Sequence, residues 1–274
     1  MGVKLAALAA SALIAASPSA TDVRYLQDRY SDDVGVAEPG GTPYPQLTAW
    51  ATLALRAANA SPSSAAGRYL AKHAGELNGA TDLALATMAE VALGQDAGPL
   101  LARLRALERP NGSIGRLVNG TAWAVLAYKT TGTRVPLKTV RWLLARQSRS
   151  GGWGWTTGAV DSNDTAAVVQ ALRAVGVQGP PITRALRFVT RYRNRDGGFE
   201  LTQGRGSDAQ STAWVVQAFL AAGRPPPRGA LAYLRGLQRP DGSFRYSRRY
   251  ATTPVWVTSQ VLPALARKAF PLTH

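Results

Sequence analysis

A short glycine turn recurs along the chain, and its spacing constrains the fold more than any other feature. It reads Asn111-Gly112-Ser113-Ile114, Gly151-Gly152-Trp153, Asp196-Gly197-Gly198-Phe199 and Asp241-Gly242-Ser243-Phe244. Aligned on Gly112, Gly152, Gly198 and Gly242, the copies lie 40, 46 and 44 residues apart. Stacked helical hairpins have a period in that range, each hairpin being too small to bury its apolar face alone. A second landmark follows each turn and opens an apolar stretch: Thr121-Ala122-Trp123, Thr165-Ala166-Ala167, Thr212-Ala213-Trp214 and Thr258-Ser259. Upstream, Thr48-Ala49-Trp50 and Thr81-Asp82-Leu83 read as two degenerate copies, which makes six.

The stretch before a turn is amphipathic: residues 137–147 carry apolar Val140, Leu143 and Leu144 beside charged Lys138, Arg141 and Arg146. The stretch after a turn, such as 165–175 or 212–222, is almost uncharged. A helix with a polar face can lie outside, whereas one apolar on most sides must be buried. Six buried helices ringed by six amphipathic ones satisfy both patterns, so the sequence predicts an all-α (α/α)6 toroid of about six helical hairpins. Pro180-Pro181 and Pro225-Pro226-Pro227 should end inner helices and restart outer ones, because proline breaks a helix interior but suits its first turn. The repeat favours a single domain over residues 21–274.

Ahead of the repeats, Lys4 precedes an apolar run from Leu5 to Ala16 and a small-residue segment, Ser17-Pro18-Ser19-Ala20. That order is the layout of a secretory signal peptide, assigned here to residues 1–20, and it implies a secreted protein. No later apolar run reaches the roughly 18 residues that a membrane helix needs. The chain has no cysteine, hence no disulfide framework. Its net charge of +16 favours anionic surroundings, such as an acidic wall polymer or a membrane surface. Yet 27 of the 32 basic residues are Arg, scattered over outer segments at Arg184, Arg187, Arg191, Arg193 and Arg195, which reads as a solvated basic face. No nucleic-acid motif is present.

Gln147 stands six residues before Trp153, and Gln238 six before Phe244; Glu108 and Arg193 replace the glutamine ahead of Ile114 and Phe199. With this spacing and period the chain resembles the squalene and hopene cyclases and the protein prenyltransferase β subunits. It is similar to secreted bacterial repeat proteins of that terpenoid cyclase and prenyltransferase superfamily. The glutamine amide is expected to satisfy backbone groups where one helix ends and the next begins. Asp161-Ser162-Asn163-Asp164-Thr165-Ala166 falls where class II terpenoid cyclases keep an Asp-x-Asp-Asp-Thr-Ala acid motif. The resemblance implies that the middle residue is the proton donor, and Asn163 has no such proton to give. Asp161 and Asp164 survive as the acids of a degenerate cyclase.

The same residues also read as helix caps, Asp161 at the N-cap and Asp164 in the first turn, with Ser207-Asp208-Ala209-Gln210 as a capping box one copy later. The zinc site of the prenyltransferases cannot be assembled without cysteine, and the only histidines are His73 and His274. No metal or other cofactor is expected. Glycoside cleavage needs two carboxylates roughly 5 to 9 Å apart across a groove. Asp161, Asp164, Glu200 and Asp208 all belong to turns at one end of the barrel, so a glycan-acting hydrolase or lyase stays open. Trp50, Trp123 and Trp214 share one repeat position and are expected to pack between neighbouring inner helices. Trp155, Tyr246, Tyr250 and Trp256 are not repeated and should face the mouth.

The resulting expectation is an exported binding scaffold without catalysis. Its loops 153–164, 199–211 and 243–256 would hold an apolar, isoprenoid-like or amphipathic ligand, or a cell-surface partner. Trp155, Asn163, Glu200, Asp208, Tyr246, Tyr250 and Trp256 are the candidate contacts.

Overall fold

The computed structural model describes residues 17–30, 35–155 and 158–272. His274 and most of the expected leader, residues 1–16, lie outside the described residues. Twelve α-helices, a 3-10 turn at Ala74–Glu76 and no strand are found among the described residues. The outer helices are α1 (Ala20–Gln27), α3 (Ala65–Lys72), α5 (Gly98–Ala106), α7 (Leu137–Ala145), α9 (Pro180–Thr190) and α11 (Ala230–Arg235). The inner ones are α2 (Pro45–Ala57), α4 (Ala80–Ala92), α6 (Val118–Thr130), α8 (Ser162–Ala174), α10 (Ala209–Ala221) and α12 (Pro254–Leu265). Each inner helix packs on the next, and α12 packs on α2, so the ring closes into the expected toroid. Inner helices of 13 residues give a barrel about 20 Å tall at 1.5 Å per residue.

One threonine per repeat ties turn to helix. Thr48, Thr121, Thr165, Thr212 and Thr258 donate to the carbonyl four residues earlier. The same hydroxyls accept from the backbone amides of Val36, Ile114, Trp153, Phe199 and Phe244 at 2.8–3.1 Å. The first repeat lacks the glycine turn but keeps this bond through Val36. The second does not: α4 starts at Ala80, so Leu83 takes the threonine's place. Thr81 is therefore out of the register expected for it, and its hydroxyl donates to Asn119 Oδ1 at 3.1 Å.

The glycines that the turns require are Gly112, Gly151, Gly197 and Gly242, with φ between +88° and +99°. In two copies this is one residue before the alignment on Gly152 and Gly198. A Cβ at Gly112 would sit 2.5 Å from Lys138 O, and one at Gly151 would sit 2.7 Å from Arg184 O. Each turn thus abuts the backbone of the following outer helix. The glutamine motif joins the same two parts: Gln147 Nε2 donates to Gly151 O at 2.9 Å and to Pro181 O at 2.8 Å. Trp153, fully buried, donates its indole N–H to Leu143 O at 2.7 Å.

Gly242 abuts Thr21 of α1, so the first helix of the fold serves as the outer helix that follows the last turn. Asp22 of α1 is fully buried and accepts from Arg235 Nη1 at 2.8 Å and Gln238 Nε2 at 2.5 Å. Ser19 and Asp22 form a capping box on α1. On the inner side of the seam, Glu38 accepts from the Val255 and Trp256 amides at 2.9 and 2.8 Å and caps α12. Residues 17–20 are therefore part of this joint.

The barrel axis is filled by aromatic rings. Trp50, Trp123 and Trp214 come from α2, α6 and α10, alternate members of the ring, and their centroids lie 5.3 to 6.3 Å apart. They pack across the axis and not between neighbours as expected, because six helices around a hole leave space that only large side chains pointing inward from the same level can occupy. Phe270, from the segment after α12, meets Trp123 at 5.5 Å and Trp50 at 6.1 Å. Its amide donates to buried Gln170 Oε1 at 2.9 Å. Trp256 also turns toward this cluster, 6.1 Å from Trp50, where the sequence placed it at the mouth.

Candidate functional site

Two groups of candidate residues lie at the glycine-turn end of the barrel. The first is built on the start of α8. Asp161 is its N-cap, in extended backbone, and Oδ1 accepts from the Asp164 amide at 2.8 Å. Asp164 is buried, and its Oδ1 accepts from Asn119 Nδ2 at 2.7 Å. Since Asn119 in turn accepts from Thr81, a chain of hydrogen bonds crosses the starts of α4, α6 and α8. Burial, reinforced by the Asp164 carboxyl, holds Asp161 well above the usual carboxylate range, and burial raises Asp164 as well. Capping and a shifted acid thus coexist in the same two side chains. Asn163 is half-buried, and its side-chain oxygen accepts from Ser162 Oγ at 3.2 Å.

Further into the barrel the axis is closed by the tryptophan cluster. The Trp123 and Trp214 position, two residues past the repeat's threonine, is Ala167 in α8. A protonated carboxyl here can donate a proton, but the space below it holds indole rings.

The second group lies on the next two repeats. Asp208 is the N-cap of α10, accepting from Ser211 N at 2.7 Å and Ser211 Oγ at 2.8 Å. The expected capping box is therefore not formed and a simple cap sits one residue later: Ser207 does not cap, and its hydroxyl donates to Asp196 Oδ1 at 2.8 Å. Asp208 is only 3% exposed, and burial pushes its carboxyl up to about 6. Glu200 is spent on its own loop, accepting from Gly204 N at 3.0 Å and Gly206 N at 2.7 Å.

Asp208 forms one wall of a cleft of about 410 Å³ that Tyr246 and Tyr250 also line. Burial raises the Tyr246 phenol above its usual value; Asp208 acts in the same direction and Arg205 against it. Tyr233 is buried beside them and donates to Ser207 O at 2.7 Å. Ser247 shapes the far wall, accepting from the Arg249 and Tyr250 amides at 3.2 and 3.1 Å.

The structure thus brings Asp208, Tyr246 and Tyr250 together. Trp155 stands apart at the mouth, 58% exposed, its carbonyl accepting from Val118 N at 3.3 Å. Sequence reasoning missed Arg205, Arg248 and Arg249, which line the same cleft. The available signal was local: two arginines directly before an unrepeated tyrosine, and a third between two glycines. No group of three or more His, Asp or Glu side chains that could hold a metal ion occurs among the described residues.

No family model matches the chain. It is 30% identical over 164 residues to the drimenyl diphosphate synthase of Streptomyces showdoensis, a match covering 52% of this chain and 30% of that protein. The drimenyl diphosphate synthase of Streptantibioticus cattleyicolor is 34% identical over 137 residues, 47% of this chain and 26% of that one. The chain spans less than a third of the length of these curated relatives. Among solved structures, a variant of a type II terpene cyclase from Scytonema, in complex with its substrate geranylgeranyl dihydroxybenzoate, superposes with a TM-score of 0.67 at 15% identity. That match covers 90% of this chain and 95% of the other.

Proposed function

Because this chain carries the α/α toroid of the terpenoid cyclase superfamily, we propose that it is an exported binding toroid that does not cyclise terpenes. One observation carries the reading. Cationic cyclisation of a polyene needs a dry chamber that encloses the chain, and here Trp50, Trp123, Trp214 and Phe270 fill the axis. Binding then belongs to the loops at the glycine-turn end, where Asp208, Tyr246 and Tyr250 share a cleft.

The test is incubation with farnesyl and geranylgeranyl diphosphate between pH 5 and 7, followed by mass spectrometry of the extract. Unchanged substrate is expected. A cyclic product that disappears in Asp161→Asn would overturn the proposal. It would establish the second reading, a degenerate class II cyclase, which the raised and shielded Asp161 and Asp164 pair favours.

The export half of the reading rests on residues 1–16 as leader. The cap of Ser19 on α1 and the bond from Arg235 Nη2 to Ser17 O support a cut before Ser17, earlier than the one expected after Ala20. N-terminal sequencing of the secreted protein should read a residue at or before Ser17; a start at Thr21 would overturn this placement.

A further inference from the structure

The cleft between loops 199–211 and 243–256 has a lining unlike the rest of the barrel end. Its walls contain three tyrosines, three arginines, two aspartates, two serines and a glycine, with no aliphatic side chain. A cleft for an isoprenoid or a lipid tail would be walled mainly by hydrophobic and aromatic groups, with few charged ones. One with flat aromatic faces and polar edges suits a ring that is apolar on its faces and hydroxylated on its rim.

Charge narrows the ligand further. Both aspartates of the cleft are committed to the protein itself: Asp208 to Ser211, and Asp196 Oδ1 to the Gly198 amide at 3.0 Å and the Ser207 hydroxyl. Arg205, Arg248 and Arg249 are exposed and lie in no ion pair found among the described residues. The loop that carries Arg248 and Arg249 is held in shape independently of their guanidinium groups, by Ser247 and by Arg245, whose Nε donates to Ser247 O and whose Nη2 donates to Arg248 O, both at 3.3 Å. Three guanidinium groups outnumber the two carboxylates around this concavity and leave a positive potential in it, and their planar forks match carboxylate or phosphate oxygens. Tyr250, 53% exposed beside them, offers an open ring face, with the Arg249 guanidinium carbon 5.8 Å from its centroid.

We propose that this cleft binds an acidic saccharide, a sugar bearing carboxylate or phosphate groups, stacked on Tyr250 and Tyr246 and paired with Arg205, Arg248 and Arg249. The proposal rests on the binding-toroid reading and names the ligand class for the same mouth. A cleft of about 410 Å³ lies within the roughly 300–1,000 Å³ range of small-ligand sites, enough for a short glycan segment.

The test is isothermal titration of the whole secreted protein with tetragalacturonate, with neutral maltotetraose and with inorganic phosphate, in 0.1 M salt. Tetragalacturonate should bind and maltotetraose should not. Tyr250→Ala and the double variant Arg248→Gln/Arg249→Gln should each weaken binding at least tenfold while leaving the melting temperature unchanged, as their side chains are solvent-exposed. Arg141→Gln/Arg187→Gln, on the outer helices α7 and α9, should bind like the parent. Equal loss in that outer-face variant, unchanged affinity in the cleft variants, or phosphate binding as tightly as the tetramer would each overturn the proposal. The titration reads the cleft and the prenyl diphosphate assay reads the axis, so the two claims fail separately.

Discussion

Thr165 serves two backbone groups with one hydroxyl, donating to Asp161 O at 2.6 Å and accepting from Trp153 N at 2.9 Å, with no exposed surface. Thr165→Val keeps the shape and strands the Trp153 amide, while Asp161 O still accepts from the backbone amide of residue 165, so it should cost roughly 1–3 kcal/mol in urea unfolding, and Thr165→Ser should recover most of that. The sequence displayed this threonine as a repeated landmark, yet spacing alone could not say what it bonds, and at Thr81 the landmark misled. Glu90 of α4 was not singled out at all, because one glutamate in an apolar helix has no pattern around it. It is 4% exposed, and burial alone pushes its carboxyl up to about 7. A carboxyl raised on folding binds its proton more tightly in the native state, so stability is highest below the unfolded value near 4.3. It falls as pH rises toward 7, and the cost of the buried charge is fully present above that. Glu90→Gln should therefore stabilise by roughly 2 kcal/mol at pH 8 and change nothing at pH 4, readable as melting temperature against pH.

At the scale of the element, the glycine turns explain both what the sequence revealed and where it slipped. Gly242 combines φ +88° with contact against Thr21 O, whereas Gly223 has φ +69° with open space where a Cβ would go. Gly223→Ala should cost roughly 1 kcal/mol for the left-handed backbone alone. Gly242→Ala should cost roughly 2 kcal/mol more, because the α1 backbone must move; paired urea titrations decide it. The forty-odd-residue period was legible because every turn needs one such glycine. Which residue of Gly151-Gly152 or Gly197-Gly198 it would be was not, since that depends on the approach of the next outer helix, a contact between distant segments. The helix starts behaved likewise: Asp161 was readable as a cap, while at Ser207-Asp208 two adjacent cap-forming residues competed and the second took the position.

For the whole molecule, six hairpins with alternating amphipathic and uncharged stretches were legible, and the resemblance to the toroid superfamily supplied the closure that the packing of α12 on α2 shows. The axis was harder to foresee. Three tryptophans at one repeat position belong on one level of the barrel, but whether they face neighbours or each other depends on ring diameter. Trp123→Ala should cost roughly 3–5 kcal/mol and open a void on the axis, detectable as gained binding of a small apolar probe such as xenon or benzene. The candidate cleft escaped in part for the same reason: Arg205 and Arg248 lie in different repeats and meet only across a joint. The seam has a further consequence, for how the molecule is made. Asp22 finds Arg235 from 213 residues away, and Glu38 caps a helix 217 residues further on. No stretch of nascent chain can complete this architecture before its last hairpin is synthesised. An open solenoid can fray from its ends, whereas a ring has no terminal repeat to lose first. The joint between the first and last helices can therefore form only once the whole ring has been made.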